Sequence, residues 1–178
     1  MERKCFIVRP FTCGDVEQVA KVFHLSINQG ASSHYSEAER AVWSPNLRSN
    51  EYWLTRLSGT KTWVAECDLC VVGFINLKSD DLITDDLIAG DLKKRGRQIA
   101  EVDCLFTLPD YIGIGVASEL YRTLEKHARA LRLTSLTVEA SYLAKPFFEK
   151  FEFQVKRKNS HPRDGQKLVN FSMFKELI

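Results

Sequence analysis

A run of strand-forming residues, Asp103-Cys104-Leu105-Phe106-Thr107, ends at Leu108-Pro109, and a turn containing Ile112-Gly113-Ile114-Gly115 opens onto Val116-Ala117-Ser118. Apolar residues then recur at helical spacing through Leu120, Tyr121, Leu124, Ala128 and Leu131. Strand, glycine turn and helix start aim several backbone N–H groups at one point, and the helix dipole adds positive potential there. The chemistry this favours is capture of phosphate oxygens. Glycine permits backbone angles closed to other residues and lets an anion approach without a Cβ in the way. The turn has neither the Gly-Lys-Ser/Thr of a Walker loop nor the third glycine of a dinucleotide fingerprint, so by itself it is a common device.

The sequence around the turn is more specific. Trp63-Val64-Ala65-Glu66 with Val71-Val72-Gly73-Phe74 precede it. Thr137-Val138-Glu139-Ala140-Ser141, Ala144-Lys145-Pro146-Phe147-Phe148-Glu149 and Asn170-Phe171-Ser172-Met173 follow it. In this order and spacing, the chain from Trp63 to Met173 resembles the GNAT N-acetyltransferases, and most of all their YafP-like bacterial small-molecule branch. His34-Tyr35-Ser36 and Trp43 extend the likeness towards the N-terminus. The resemblance implies an α/β (α+β) GNAT fold, a central mixed and mostly antiparallel sheet flanked by helices. It also implies acetyl-CoA as cosubstrate, bound at the strand-turn-helix motif, and direct transfer of the acetyl group to the primary amine of a small molecule.

By the same resemblance, main-chain groups of Ile112, Gly113, Ile114, Gly115, Val116, Ala117 and Ser118 grip the pyrophosphate, while Leu105, Phe106 and Thr107 lie along the pantetheine arm. Ser141 stands where many family members have an asparagine touching the cofactor. Phe148 stands where many have the tyrosine that protonates the departing thiolate, so the proton must come from elsewhere, with Tyr142 nearest in sequence, or the thiolate leaves unassisted. Glu152 replaces a glycine usual before the next strand. Asp103, two residues before Leu105 and so expected on the same strand face, is the first candidate for the general base, with an ion pair as the alternative. His34, an imidazole able to carry a proton, is the second candidate, and Glu139 a third that also faces the acceptor. Tyr35, Trp43, Glu139 and Asn170 are expected around the acceptor amine. The competing readings are a non-catalytic acyl-CoA sensor or partner-binding module, and an acetyltransferase for protein or peptide amines.

Elements that would hold these residues are legible along the chain. Ile7-Val8-Arg9-Pro10 reads as an edge strand, and Thr12 with Asp15 as a capping box before helical spacing at Val16, Val19, Ala20, Phe23 and Ile27. Ser36 with Glu39 opens a second helix that Pro45 ends, and Ser49 or Asn50 caps a third carrying Trp53, Leu54 and Leu57. Cys67-Asp68-Leu69-Cys70 lies between two strands and reads as a hairpin turn rather than half a zinc site. Residues 79–98, rich in Asp and then in Lys and Arg, read as a solvated loop, and the resemblance, whose members have a short connection here, makes it a charged insertion.

The whole of residues 1–178 reads as one domain with room for a core. A net charge of +2 argues against nucleic acid as partner, and no apolar run approaches the ~20 residues that span a bilayer. Five cysteines without framework spacing suit reduced thiols and, with no signal-peptide pattern at the start, a cytoplasmic setting. No metal site is expected, and a homodimer is left open.

Overall fold

The computed structural model describes residues 5–79 and 99–177; the expected insertion at 79–98 lies, apart from Ser79, outside the described residues. Seven strands form one sheet in the order β1-β2-β3-β4-β5-β7-β6. They are β1 (Ile7–Pro10), β2 (Lys61–Cys67), β3 (Cys70–Lys78), β4 (Ile99–Thr107), β5 (Ser135–Ser141), β6 (Gln154–Arg163) and β7 (Gln166–Glu176). Among the described residues only the β4–β5 pair is parallel. The helices are α1 (Val16–Leu25), α2 (Glu37–Trp43), α3 (Asn50–Leu57), α4 (Val116–Ala130) and α5 (Lys145–Lys150). The mixed, mostly antiparallel sheet flanked by helices is the one expected.

Each sheet face has its own core. Val19 and Ala20 of α1 with Trp53 and Leu57 of α3 pack on Val64, Phe74 and Cys104. On the other face Leu120, Tyr121, Leu124 and Ala128 of α4 cover Ile75, Leu77, Val102 and Leu136. The 3.6-residue period of α4 and the two-residue period of the strands are therefore the same fact, one apolar side turned to one core. Local signals end the elements as expected. The Ser36 hydroxyl accepts from the Glu39 N–H at 3.2 Å while Glu39 accepts from the Ser36 N–H at 2.8 Å, and the Ser49 hydroxyl accepts from the Tyr52 N–H at 3.2 Å. Asp68 and Leu69 take φ of 51° and 64°, which makes the Cys67-to-Cys70 segment a tight hairpin turn with both thiols free.

Two irregularities shape the middle of the sheet. In β4, Cys104 faces Asn76 and Val102 faces Leu77, so Asp103 is an extra residue, a β-bulge. Ala100 and Val102 therefore point to the α4 core, whereas Cys104 and Phe106 point to the α1–α3 side. Next, β4 and β5 pair only from Ile99/Ser135 to Val102/Val138, after which β5 runs on to Ser141 against Asn170 of β7. The last residues of β4 keep β3 on one side and lose β5 on the other. Parallel neighbours that part in this way leave a wedge with unpaired main-chain edges.

Candidate active site

The wedge opens into a cavity of 390 Å³ whose walls come from the end of β4, the glycine turn and the start of α4. Leu105, Phe106, Thr107, Ile112, Gly113, Gly115, Val116, Ala117, Ser118 and Ser141 all line it, as a group drawn together from two strands and a helix. Gly113 and Gly115 have φ of 82° and 97°, the left-handed region that disfavours a side chain, and a Cβ on either would meet nothing within 4 Å. The turn is therefore open towards the cavity. The first N–H groups of α4 have no acceptor within the helix, and the dipole raises the potential where they point. Gly73, paired with Thr107, serves the same wall by closeness, since a Cβ there would lie 3.0 Å from the Phe106 carbonyl oxygen and from Val116 Cγ1.

A second cavity of 360 Å³ lies on the α1–α3 side of the sheet. Tyr35, Trp43, Glu139 and Asn170 line it, together with Asp103, Tyr52 and Trp53. Trp43, Phe106 and Ser141 belong to both walls, so the two spaces meet there. Tyr35 stands at this junction. It is buried, its ring meets Trp43 edge-on at 5.4 Å, and its hydroxyl accepts a 2.9 Å hydrogen bond from the Tyr142 N–H. Burial holds the phenol above its ordinary pKa, against the pull of the Tyr142 N–H, so the proton stays on it at neutral pH.

Five expected residues sit differently. Phe148 is 2% exposed and packs in the core against Tyr121 and Phe153, because α5 turns it inward; its neighbour Phe147 lines the first cavity instead. Ile114 is 45% exposed and stands clear of both walls, between two glycines that turn the chain away from it. His34 is exposed and bonded to its neighbour Ser33 at 2.8 Å, outside both cavities. Tyr142 offers its backbone N–H to Tyr35, and its own ring packs on Phe171 at 5.1 Å, also outside both walls. Asp103 does line the second cavity, yet the bulge puts it on the face opposite Leu105, reversing the alternation expected for an unbroken strand. There Arg56 donates to one carboxylate oxygen at 2.9 Å and Asn76 to the other at 3.2 Å. The alternative reading of Asp103 as an ion pair describes what is found.

Other groups in the second wall went unnoticed in the sequence. Arg48 and Arg56 come from the approach to α3 and from α3 itself, and His161 and Arg163 from β6. Their eight-residue spacing and hairpin position carry no local chemical signature. Glu139 accepts from the Asn159 amide at 3.2 Å and forms no ion pair among the described residues. Glu101, on the same side as Asp103, is pushed above the usual carboxylate range, first by burial and then by the Asp103 charge. Burial likewise pushes the Cys104 thiol up to about 12, so it remains protonated at neutral pH.

Residues 28–153 match the Acetyltransferase (GNAT) family. The chain is 31% identical over 166 residues to the uncharacterized N-acetyltransferase YafP of Escherichia coli (strain K12), covering 93% of each. It is similar to the crystal structure of a GCN5-related N-acetyltransferase from Rhodopseudomonas palustris, with a TM-score of 0.79 and 31% identity, covering 99% of this chain and 98% of the other. A PaiA N-acetyltransferase from Thermoplasma acidophilum, solved in complex with coenzyme A, shares the fold with a TM-score of 0.71 at 20% identity, covering 97% of this chain and 99% of that one. A wedge between parting parallel strands, a glycine turn heading α4 and this family match agree with one another, and the chain belongs to the GNAT family of N-acetyltransferases.

Proposed function

We propose that this enzyme moves an acetyl group from acetyl-CoA to the primary amine of a small molecule, with acetyl-CoA in the first cavity and the amine in the second. The observation that carries the reading is the meeting of the two cavities at Trp43, Phe106 and Ser141. The walls suit the cosubstrate: an open glycine turn with unpaired amides for a diphosphate, and at Leu105 to Thr107 a strand edge that β5 does not pair, touched only by the Ser26 hydroxyl at the Thr107 carbonyl among the described residues, for the amides of a pantetheine arm. Acetyl-CoA supplies an acyl carbon already activated as a thioester.

The residues then divide the remaining work. Glu139 and Ser141 share one face of β5 and lie about 7 Å apart along it, a span one water bridges. Glu139 takes the ammonium proton through that water and frees the nitrogen lone pair. The new C–N bond forms as the C–S bond breaks. Tyr35 gives its hydroxyl proton to the sulfur and is reprotonated by the second proton that the nitrogen sheds as the amide forms, while the proton on Glu139 passes to solvent. Cys104 keeps its proton and lies buried, which supports direct attack rather than an acetyl-cysteine. Asp103 holds Arg56 in the wall instead of acting as base. The five cysteines are free, which suits the cytoplasm.

The test is release of free thiol from acetyl-CoA in the presence of a broad panel of primary amines, with the acetylated amine identified by mass spectrometry. Amine-dependent thiol release with matching product supports the reading. A rate equal to that of buffer across the panel, with coenzyme A still bound, supports the acyl-CoA sensor and overturns the enzyme mechanism above.

A further inference from the structure

The inventory of donors and acceptors in the second cavity has a consequence for the chemistry of the amine, and it rests on that cavity being the acceptor site. Three arginines and two carboxylates reach its wall. Arg56 and Asp103 neutralise each other at 2.9 Å. Arg48 has no carboxylate against it among the described residues: its guanidinium lies 4.6 Å from the Tyr52 ring centre, and its Nε is buried without a hydrogen-bond partner. The indole Nε1 of Trp53, a side chain 1% exposed in the same wall, is a second buried donor without a partner. Both orphans are N–H groups, and a donor taken out of water with nothing to accept from it loses its hydration for no return. Arg163 brings a further positive charge from the hairpin side.

An amine with a plain hydrocarbon tail offers such a wall no oxygen, and its own positive charge faces the unpaired Arg48. We infer that the acceptor is a primary amine that also carries an anionic oxygen group, a carboxylate or a phosphonate. The anionic group lies against Arg48 on the Tyr52–Trp53 side, where its oxygens supply the missing acceptors. The amine lies on the β5 side facing Glu139, so that Arg48 and Glu139 each gain an opposite charge, while Arg163 leaves the wall net positive and favours the anionic end. The planar guanidinium stacked on Tyr52 is held ready for two parallel hydrogen bonds to such a group.

The experiment measures equilibrium binding of paired probes to the protein saturated with coenzyme A, so that no turnover is needed. The pairs are L-phenylalanine with phenethylamine and with L-phenylalaninamide, 4-aminobutyrate with butylamine, and 2-aminoethylphosphonate with ethylamine. At least one anionic probe is expected to bind ten-fold or more tightly than its uncharged-tail partner. Arg48→Gln should bring that ratio towards one, and Arg48→Lys should keep part of it. Coenzyme A affinity measured on each variant reports that the fold is intact. Equal or tighter binding of the uncharged-tail amines, binding of none of the anionic probes, or an Arg48→Gln effect equal on both members of a pair overturns the inference. Because thiol release is a separate readout, selective binding without turnover would count against the proposed reaction and leave the acceptor class standing.

Discussion

At the scale of single residues, the account divides the reaction between two side chains on opposite sides of Ser141. Glu139→Gln should lower kcat by about 100-fold, the usual contribution of a positioned base, while calorimetry finds coenzyme A affinity unchanged. Tyr35→Phe should lower kcat less, about ten-fold, because a thiolate of pKa near ~8.5 is a tolerable leaving group without help. Its hydroxyl also accepts from the Tyr142 N–H, so a melting curve on the same variant separates a lost proton donor from a loosened loop. Asp103→Asn should behave unlike either, with a modest loss of stability from freeing a half-exposed Arg56 and little direct effect on chemistry. Under the proposed mechanism the base is Glu139, third among the sequence's candidates, instead of Asp103, the first, and the acid is Tyr35, expected from sequence only in the acceptor wall. Alternation along a strand assigns faces only while the register is unbroken, and nothing in Asp103-Cys104 announces the extra residue. The sequence places Tyr35 only in the acceptor wall; the bond from the Tyr142 N–H to its hydroxyl joins positions far apart in the chain, which no local pattern encodes.

At the scale of elements, two devices hold the site's scaffold. Arg9 of β1 donates from Nε to Glu66 of β2 at 2.7 Å and to both oxygens of Asp15, in the turn before α1, at 2.8 and 2.7 Å. These bonds from Arg9, with burial opposing them, hold the Asp15 carboxyl at about 2, below its ordinary 3.8. A group depressed in the folded state stabilises the fold fully above its ordinary value and loses that contribution as the pH falls towards 2. Denaturant melts should therefore show about 2 kcal/mol lost between pH ~5 and pH ~2, and Asp15→Asn should remove most of that acid limb. The second device is Gly73, whose hydrogen lies where a Cβ would strike backbone at Phe106 and the side chain of Val116. Gly73→Ala should push β4 and the start of α4 apart, costing about 1–3 kcal/mol and weakening coenzyme A binding, both readable from melts with and without coenzyme A. These elements were legible because their signals are local: capping boxes at Ser36 and before α1, periodicity in α4, a two-residue turn at Asp68-Leu69. The parting of β4 from β5 was not, since it depends on which strands pair.

At the scale of the molecule, the sheet works as a partition that is open at one point. The wedge holds the first cavity, walled also by Ser26, Ile27 and Ala31 after α1, the α1–α3 face holds the second, and Trp43, Phe106 and Ser141 border both. The first cavity could be read from sequence because one contiguous stretch supplies most of its wall. The second draws on α1, α2, α3, β4, β5 and the β6–β7 hairpin, so the sequence points to Tyr35, Trp43, Trp53, Asp103, Glu139, Ser141 and Asn170 but not to its arginines or His161. The most direct test of this arrangement is the crystal structure of the protein with coenzyme A bound. The account predicts diphosphate oxygens within hydrogen-bond distance of the amides between Ile112 and Ser118, and the sulfur beside Phe106 and Ser141. Coenzyme A lying elsewhere, or its sulfur turned away from the second cavity, would contradict it.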